Sequence, residues 1–265
     1  MSRIKHSRGQ IWNGGTLSTA AVAVTFDVTH TLIHAPRAGE LYSQVLERHG
    51  ITVSARRVRR KLPMVLKEFS FRSDMRSNRF AVFPDGARGW WHRVVERLCQ
   101  LLELPGPSRF ASAELYNIFS HAESWEIYPD IVPALRDLRS AGLRLGIVSN
   151  WDERLPTLLG RLGLAPYFTA ITYSAAYGRE KPHPGIFHQC LQSLGVRPDQ
   201  ALHVGDSTLE DHEGATAAGM HSILIDRGDA RPDLRRLLGT VLGVPECLEA
   251  PGDGSAHQNT GGSGP

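Results

Sequence analysis

Four short groups of polar residues along this chain have the types and the order that phosphoryl transfer requires. Each group follows a strand-like apolar segment. In chain order the groups are Asp27, then Ser149 with Asn150, then Lys181, and finally Asp206 with Asp211. A carboxylate that attacks phosphorus is repelled by the charge of the phosphate. The chemistry therefore requires a cation between them and hydrogen-bond donors for the remaining oxygens.

The residue types suggest a division of roles. Asp27 is the candidate nucleophile, and Ser149 can donate a hydrogen bond to a phosphoryl oxygen. Lys181 can supply fixed positive charge where negative charge develops. Asp206 and Asp211 offer the oxygen ligands that Mg²⁺ prefers, Asp211 either directly or through water. Alone, Asp27 is more typical of a helix cap or a turn than of a nucleophile. Ser149, Asn150 and Asp206 could equally be helix caps, and Lys181 could be a solvated loop residue. Their combination at successive strand ends favours the functional interpretation.

Hydrophobic periodicity predicts the elements that must position these residues. After Tyr128-Pro129-Asp130, buried strands alternate with helices of about ten residues, a pattern typical of a doubly wound, Rossmann-like α/β fold with a parallel sheet. The apolar run 22–26 completes that sheet. Ligands of such sheets bind at the carboxyl ends of the strands, where every candidate residue lies. The predicted strands are 143–148, 170–173, 201–204 and 221–225, and the predicted helices are 131–141, 155–162, 184–194 and 208–218.

Changes in the residue pattern along the chain also predict a division into domains. Its 265 residues are enough for a core with an insert. Between about 36 and 123, apolar residues recur at helical spacing and Pro/Gly clusters separate the repeats, which indicates an inserted α-helical cap. The predicted segments are an irregular N-terminal arm at 1–19, the α/β core at 20–35 and 124–249, the cap at 36–123, and a disordered tail at 250–265.

Composition narrows the class of protein. A net charge of +3 is too small to indicate nucleic-acid binding, and the basic run 56–61 is typical of a solvated helix face. No apolar run approaches the roughly 18 residues that span a bilayer, and no signal peptide is recognisable. Three widely spaced cysteines favour a reducing compartment. We therefore expect a cytoplasmic protein that binds neither nucleic acid nor membrane; its oligomeric state stays open.

The motifs resemble those of the haloacid dehalogenase-like hydrolase superfamily, and the resemblance covers about residues 20–245. Shorter stretches, Trp90-Trp91, Ser149–Leu155 and Ala218–Ser222, look most like the haloacid dehalogenase-like hydrolase domain-containing protein 3 subgroup. The matching motifs are Asp27-x-Thr29-x-Thr31-Leu32, Val148-Ser149-Asn150, Lys181-Pro182-x-Pro184 and His203-Val204-Gly205-Asp206-x₄-Asp211.

This resemblance implies a hydrolase with a helical cap that acts on a small phosphorylated molecule with Mg²⁺. By the resemblance, Asp27 is the nucleophile. The ligands of the implied metal are Asp27, the backbone carbonyl of Thr29, Asp206 and Asp211. The residues implied to contact phosphate are Ser149, Asn150 and Lys181.

By the same resemblance, the phosphatases of the superfamily have aspartate where this chain has Thr29. That aspartate protonates the leaving group and then activates water, and the hydroxyl of threonine does not ionise near neutral pH. General acid–base catalysis contributes about 10²–10⁴-fold to rates, so we expect a slow phosphatase. The superfamily's ion-pumping ATPases are similar to this chain in having Asp-x-Thr-x-Thr. His30 is a possible substitute base, although a continued strand would direct it away from Thr29.

Two other functions compete with phosphate hydrolysis. Thr29 is consistent with a catalytically idle fold that serves as a binding or regulatory protein. Dehalogenase chemistry at carbon is disfavoured, because the dehalogenases of the superfamily use no metal and carry neutral residues at the position of Asp206. Their tyrosine two residues after the nucleophile is also absent here.

Overall fold

The structure, a computed structural model, describes residues 10–12, 21–70, 78–228 and 233–243. The strands are β1 (Gln10–Trp12), β2 (Ala23–Phe26), β3 (Ile33–His34), β4 (Glu126–Ile127), β5 (Arg144–Ser149), β6 (Ala170–Tyr173), β7 (Ala201–Gly205) and β8 (His221–Ile225). The helices are α1 (Ala38–Arg48), α2 (Ala55–Ser70), α3 (Gly86–Leu101), α4 (Arg109–Ile118), α5 (Ile131–Ser140), α6 (Leu155–Arg161), α7 (Ser174–Tyr177), α8 (Pro184–Leu194), α9 (Gly214–Ala217) and α10 (Leu234–Leu242).

Five parallel strands form the main sheet in the order β8-β7-β2-β5-β6, and β1 adds an antiparallel edge beside β8. The predicted doubly wound α/β fold is confirmed. In the register of the sheet, Phe26 at the end of β2 is opposite Val204 of β7 and Ile147 of β5. The ends of these three central strands therefore meet at one edge of the sheet.

The two faces of the sheet are covered by different helices, as the period-two alternation of strands requires. On one face Val24 and Phe26 of β2 share an apolar cluster with α5 and α10. On the other face Ala23 packs in a cluster with α8 and α9. Close packing on this second face leaves little room at Gly146, where a Cβ would lie 2.8 Å from Cys190 Sγ.

The segment between β3 and β4 contains α1 to α4, which pack around an apolar cluster of their own. Buried side chains of the cluster include Tyr42, Leu46, Trp90 and Leu98. The antiparallel pair β3–β4 closes the base of the segment, with Ile33 opposite Ile127. The basic run 56–61 lies on α2 with its arginines exposed. Among the described residues, no helix is both long enough and apolar enough to cross a membrane.

Several elements differ from the sequence-based expectation. Residues 10–12 lie within the arm predicted to be irregular, but their backbone pairs with β8; three residues are too few to show the period of a strand. The predicted helix 208–218 is instead a π-helical stretch, Thr208–Glu213, followed by α9. The short strands β3 and β4 and the helices α7 and α10 were not predicted. The predicted disordered tail, 250–265, lies outside the described residues.

Candidate active site

The candidate nucleophile is fixed by the backbone of the sheet edge. Asp27 follows β2 directly, and its N–H donates to the carbonyl of Val204 at 2.9 Å. The chain then turns, because the N–H groups of Leu32 and Ile33 both donate to the carbonyl of Val28. The turn leaves the Asp27 side chain at the carboxyl edge of the sheet, 7% exposed.

Lys181 joins the nucleophile to a second carboxylate. Its Nζ lies 2.6 Å from Asp27 Oδ1 and 2.5 Å from Asp211 Oδ1, and its side chain is 1% exposed. Ser149 Oγ donates to the same Asp27 oxygen at 2.8 Å. Although burial by itself would lower the pKa of Lys181, the charges of Asp211 and Asp27 raise it above its usual range. The ammonium is therefore a permanent positive charge beside the candidate nucleophile.

Asn150 binds the backbone of Lys181. Its Oδ1 accepts from the N–H of Lys181 at 2.7 Å, and its Nδ2 donates to the carbonyl of the same residue at 3.1 Å. The resemblance implied a phosphate contact for Asn150. The two hydrogen bonds direct the Asn150 side chain onto the loop that carries Lys181, and the phosphate contact stays a prediction.

Asp27, Asp206 and Asp211 form a cluster in which one ligand atom of each lies within 4.8 Å of the others. Part of Asp206 reaches solvent, yet desolvation and the charges of Asp27 and Asp211 raise its pKa to about 8. Burial, and secondarily Asp211, also raises the pKa of Asp27 in spite of Lys181. Three converging carboxylates, two of which have a raised pKa, are a donor set that fits a hard divalent cation.

The position of Asp211 depends on an irregular helix and on a glycine, Gly205, next to its carboxylate. Asp211 lies in the π-helical stretch, a form that is frequent at functional sites, and Ser207 N donates to its Oδ2 at 2.9 Å. Gly205 allows its approach, because a Cβ at Gly205 would lie 2.1 Å from Asp211 Cγ. Although burial would raise the pKa of Asp211, Lys181 and His203 hold it below its usual range. Asp211 is thus the carboxylate most firmly kept ionised.

Thr29 is held by a tryptophan, not by a charged group. Trp151 Nε1 donates to Thr29 Oγ1 at 3.0 Å. His30, the neighbouring candidate base, has a left-handed backbone with φ of 61° and an exposed side chain, because the strand does not continue past Phe26. Partial desolvation lowers the pKa of His30 despite the charge of Asp27.

A buried cluster connects the segment after Ser149 to the helical insert. Arg154 Nε and Nη2 donate to the two carboxylate oxygens of Asp152 at 2.8 and 2.6 Å, and Trp91 Nε1 of α3 donates to the same carboxylate at 3.0 Å. The Arg154 guanidinium lies 3.7 Å from the ring centroid of Tyr116 on α4. Tyr116 in turn donates to Glu153 at 2.6 Å. Sequence reasoning missed this cluster, although acidic and basic residues directly follow the Ser149 motif.

Arg79 makes a second connection, near Lys181. Its Nε donates to Glu180 Oε2 at 2.7 Å and its Nη2 to Glu210 Oε1 at 3.2 Å. These glutamates immediately precede Lys181 and Asp211, so a charge from the insert compensates two acids at the edge of the site. No periodic pattern in the sequence marks Arg79.

We expect Arg154→Met to lower the free energy of unfolding by about 3–5 kcal/mol, because Asp152 would remain buried without its ionic partner. Urea denaturation followed by circular dichroism measures this change. As a control, Asp152→Asn combined with Arg154→Met removes both charges and should recover part of the loss. A single variant within about 1 kcal/mol of wild type would show that the pair contributes little.

Comparison with known proteins defines the class of this chain. A family model described as a haloacid dehalogenase-like hydrolase matches residues 22–219. The chain is 34% identical to haloacid dehalogenase-like hydrolase domain-containing protein 3 of Homo sapiens over 212 residues, which cover 76% of this chain and 80% of that protein. This protein therefore belongs to the haloacid dehalogenase-like hydrolases, and the resemblance inferred from the motifs is confirmed.

Two further relatives are described as phosphatases. Over 107 residues the chain is 38% identical to the glyceraldehyde 3-phosphate phosphatase of Methanopyrus kandleri, with 38% of this chain and 44% of that protein covered. The crystal structure of a phosphatase of the same superfamily from Thermococcus onnurineus matches with a TM-score of 0.53 and 26% identity. That match covers 82% of this chain and 97% of the other.

Proposed function

We propose that this protein is a Mg²⁺-dependent phosphatase that hydrolyses a small phosphorylated metabolite slowly, through an aspartyl-phosphate at Asp27. The observation that carries this proposal is the buried Lys181, which contacts both Asp27 and Asp211. The two partners are the candidate nucleophile and a candidate metal ligand, so one buried positive charge lies between both parts of the site. The phosphatases among the relatives support the substrate class.

In the first step Asp27 attacks phosphorus, so that a bond from its carboxylate oxygen forms while the bond to the leaving oxygen breaks. The ammonium of Lys181 stabilises the negative charge that develops on the phosphoryl oxygens. Ser149, which donates to Asp27 at 2.8 Å, is within reach to donate to a phosphoryl oxygen instead. Asn150 acts on the loop, because it holds the backbone of Lys181 in place.

The proposed metal ligands are the carboxylates of Asp27, Asp206 and Asp211 together with the backbone carbonyl of Thr29. The raised pKa of Asp206 and of Asp27 supports a divalent cation among them. When bound, Mg²⁺ supplies the positive charge that offsets the repulsion between the nucleophile and the phosphate.

The second step, hydrolysis of the aspartyl-phosphate, is where Thr29 limits the rate. Water must lose a proton to attack phosphorus, and a threonine hydroxyl that accepts a bond from Trp151 is no base. In the first step the leaving oxygen must likewise take its proton from solvent or from the substrate. Turnover is therefore slow, and a good leaving group favours the first step over the second.

A cytoplasmic location forms part of the proposal. Its support is the state of two cysteines, since Cys99 and Cys190 are buried free thiols. Burial raises the pKa of Cys99 to about 11 and that of Cys190 to about 12, so that both stay as unreactive thiols. Such residues are typical of a reducing compartment.

The second candidate function is that of a binding or regulatory protein with a catalytically inactive site. The hydrogen bond from Trp151 to the hydroxyl of Thr29 favours it. An assay of a panel of phosphorylated metabolites with Mg²⁺ distinguishes the two functions. We expect slow phosphate release by the wild type, none by Asp27→Asn, and none after chelation of Mg²⁺. A wild type that neither releases phosphate nor binds Mg²⁺ in calorimetry would support the second function.

The metal assignment is tested in the same calorimeter with a matched variant. We expect Mg²⁺ to bind the wild type and to raise its melting temperature by mass action. Asp206→Asn should lose this binding, because the cluster then has one carboxylate fewer. A variant that binds Mg²⁺ as tightly as the wild type would show that Asp206 is not a ligand.

A further inference from the structure

His203 is a fully buried histidine for which the proposed reaction has no role. It lies on β7, directly opposite Thr25 of β2 in the parallel register, on the face of the sheet that α8 covers. Its exposed fraction is 0%, and its ring packs edge-on against Phe187 of α8 with centroids 5.0 Å apart. Burying a polar ring costs free energy unless both nitrogens have partners, so the choice of histidine here requires a reason.

Both ring nitrogens have partners, and these determine where the proton lies. Nε2 lies 3.1 Å from Asp211 Oδ1, and Nδ1 lies 2.8 Å from Thr25 Oγ1. An ionised carboxylate only accepts hydrogen bonds, so Nε2 carries the proton and donates to Asp211. In the neutral ring, Nδ1 then accepts from the hydroxyl of Thr25. Thr25 thereby selects the tautomer that donates to the carboxylate.

The bond from His203 completes the set of donors around Asp211. Oδ1 accepts from Lys181 Nζ and from His203 Nε2, and Oδ2 accepts from Ser207 N. Three donors from three directions allow the carboxylate one orientation. Because Lys181 also binds Asp27, the hydrogen bonds form a continuous path from Thr25 through His203, Asp211 and Lys181 to the nucleophile.

We propose that His203 is a positioning residue that holds the carboxylate of Asp211 in the orientation in which it binds Mg²⁺ and Lys181. The proposal rests on the proposed function, since it concerns the metal of that site. Groups that hydrogen-bond to a metal ligand and hold its orientation typically change metal affinity about 10–100-fold when they are removed. His203 acts through Asp211 and does not touch the phosphate itself.

Two amide variants test this role, since each can reproduce the hydrogen bond of only one ring nitrogen. The side chain of His203→Gln can place its amide nitrogen near the position of Nε2 and so keep the donor to Asp211. His203→Asn is shorter, so it can reach Thr25 but not Asp211. We expect Mg²⁺ affinity, measured by calorimetry, to fall about 10–100-fold in His203→Asn and by less than about tenfold in His203→Gln. Without Mg²⁺, the melting temperatures of the two variants should differ from that of the wild type by similar amounts.

Nuclear magnetic resonance of the wild type gives a second test, which does not depend on a variant that folds. The ¹⁵N chemical shifts of the His203 ring should report a neutral Nε2–H tautomer. In Thr25→Val, which keeps the shape of the side chain, this tautomer should lose its preference and Mg²⁺ should bind more weakly.

The outcomes separate this inference from the proposed function. A wild type without Mg²⁺ binding would overturn the metal site and this inference together. A wild type that binds Mg²⁺, with His203→Asn and His203→Gln equally affected or unaffected, would overturn the role of His203 alone. An Nδ1–H tautomer in the wild type would do so as well.

Discussion

Replacing Thr29 by aspartate is expected to accelerate hydrolysis of the aspartyl-phosphate by an order of magnitude or more, toward the roughly 10²–10⁴-fold that general acid–base catalysis contributes. The structure favours tolerance of this change. Thr29 Oγ1 accepts a hydrogen bond from Trp151 Nε1 at 3.0 Å, and a carboxylate at position 29 would accept the same bond. The side chain is also only partly buried, so that an added charge keeps contact with water.

The measurement separates the two chemical steps. An acyl phosphate such as acetyl phosphate should phosphorylate Asp27 of the wild type with Mg²⁺, and intact-mass spectrometry should show the adduct persisting. In Thr29→Asp the adduct should decay faster and steady-state turnover should rise. Thr29→Asn is the matched control, since it has nearly the size of aspartate and an acceptor for Trp151, but no ionisable group.

Three outcomes would contradict this account of Thr29. An equal gain in Thr29→Asp and Thr29→Asn would show that ionisation is not the cause. Rapid hydrolysis of alkyl phosphates by the wild type would show that another group supplies the proton; His30→Asn, which retains a residue tolerant of left-handed φ, would then test His30. Failure to trap phosphate on Asp27 from any activated donor would favour the binding protein.

Replacing Lys181 by methionine is expected to have the second large effect, on both stability and activity. Its side chain is 1% exposed and pairs with Asp27 and Asp211. Without it two buried carboxylates remain without their cation, which should lower the free energy of unfolding by about 3–5 kcal/mol. Loss of the charge beside the phosphoryl group should also slow phosphorylation of Asp27 by at least about 10²–10³-fold.

Stability and rate are measured separately for Lys181→Met. Urea unfolding gives the first, and the rate of adduct formation from acetyl phosphate, at a temperature where circular dichroism shows a folded protein, gives the second. Combining Lys181→Met with Asp27→Asn should recover part of the lost stability and none of the rate. A folded Lys181→Met that is phosphorylated as fast as the wild type would remove Lys181 from the mechanism.

The sequence alone determined the α/β fold and the residues that gather at the sheet edge. Largely apolar segments of four to six residues that alternate with amphipathic helices are typical of the buried strands of a parallel sheet. In such a sheet all strands end at the same edge. Polar residues that follow separate strands, such as Asp27, Ser149 and Asp206, are therefore expected at that edge.

Only the tertiary structure decided how each side chain is used. Thr25 and His203 are 178 positions apart, and Arg79 and Glu180 are 101 apart, so no local pattern relates the members of either pair. Three features depend on distances of about 3 Å between groups from different elements. They are the tautomer of His203, the hydrogen bonds from Asn150 to the Lys181 loop, and the hydrogen bond from Trp151 to Thr29. Periodicity predicts which segments are strands, and the structure gives their order in the sheet. The choice of hydrogen-bond partners follows from the packing that brings buried donors and acceptors together and leaves them without water.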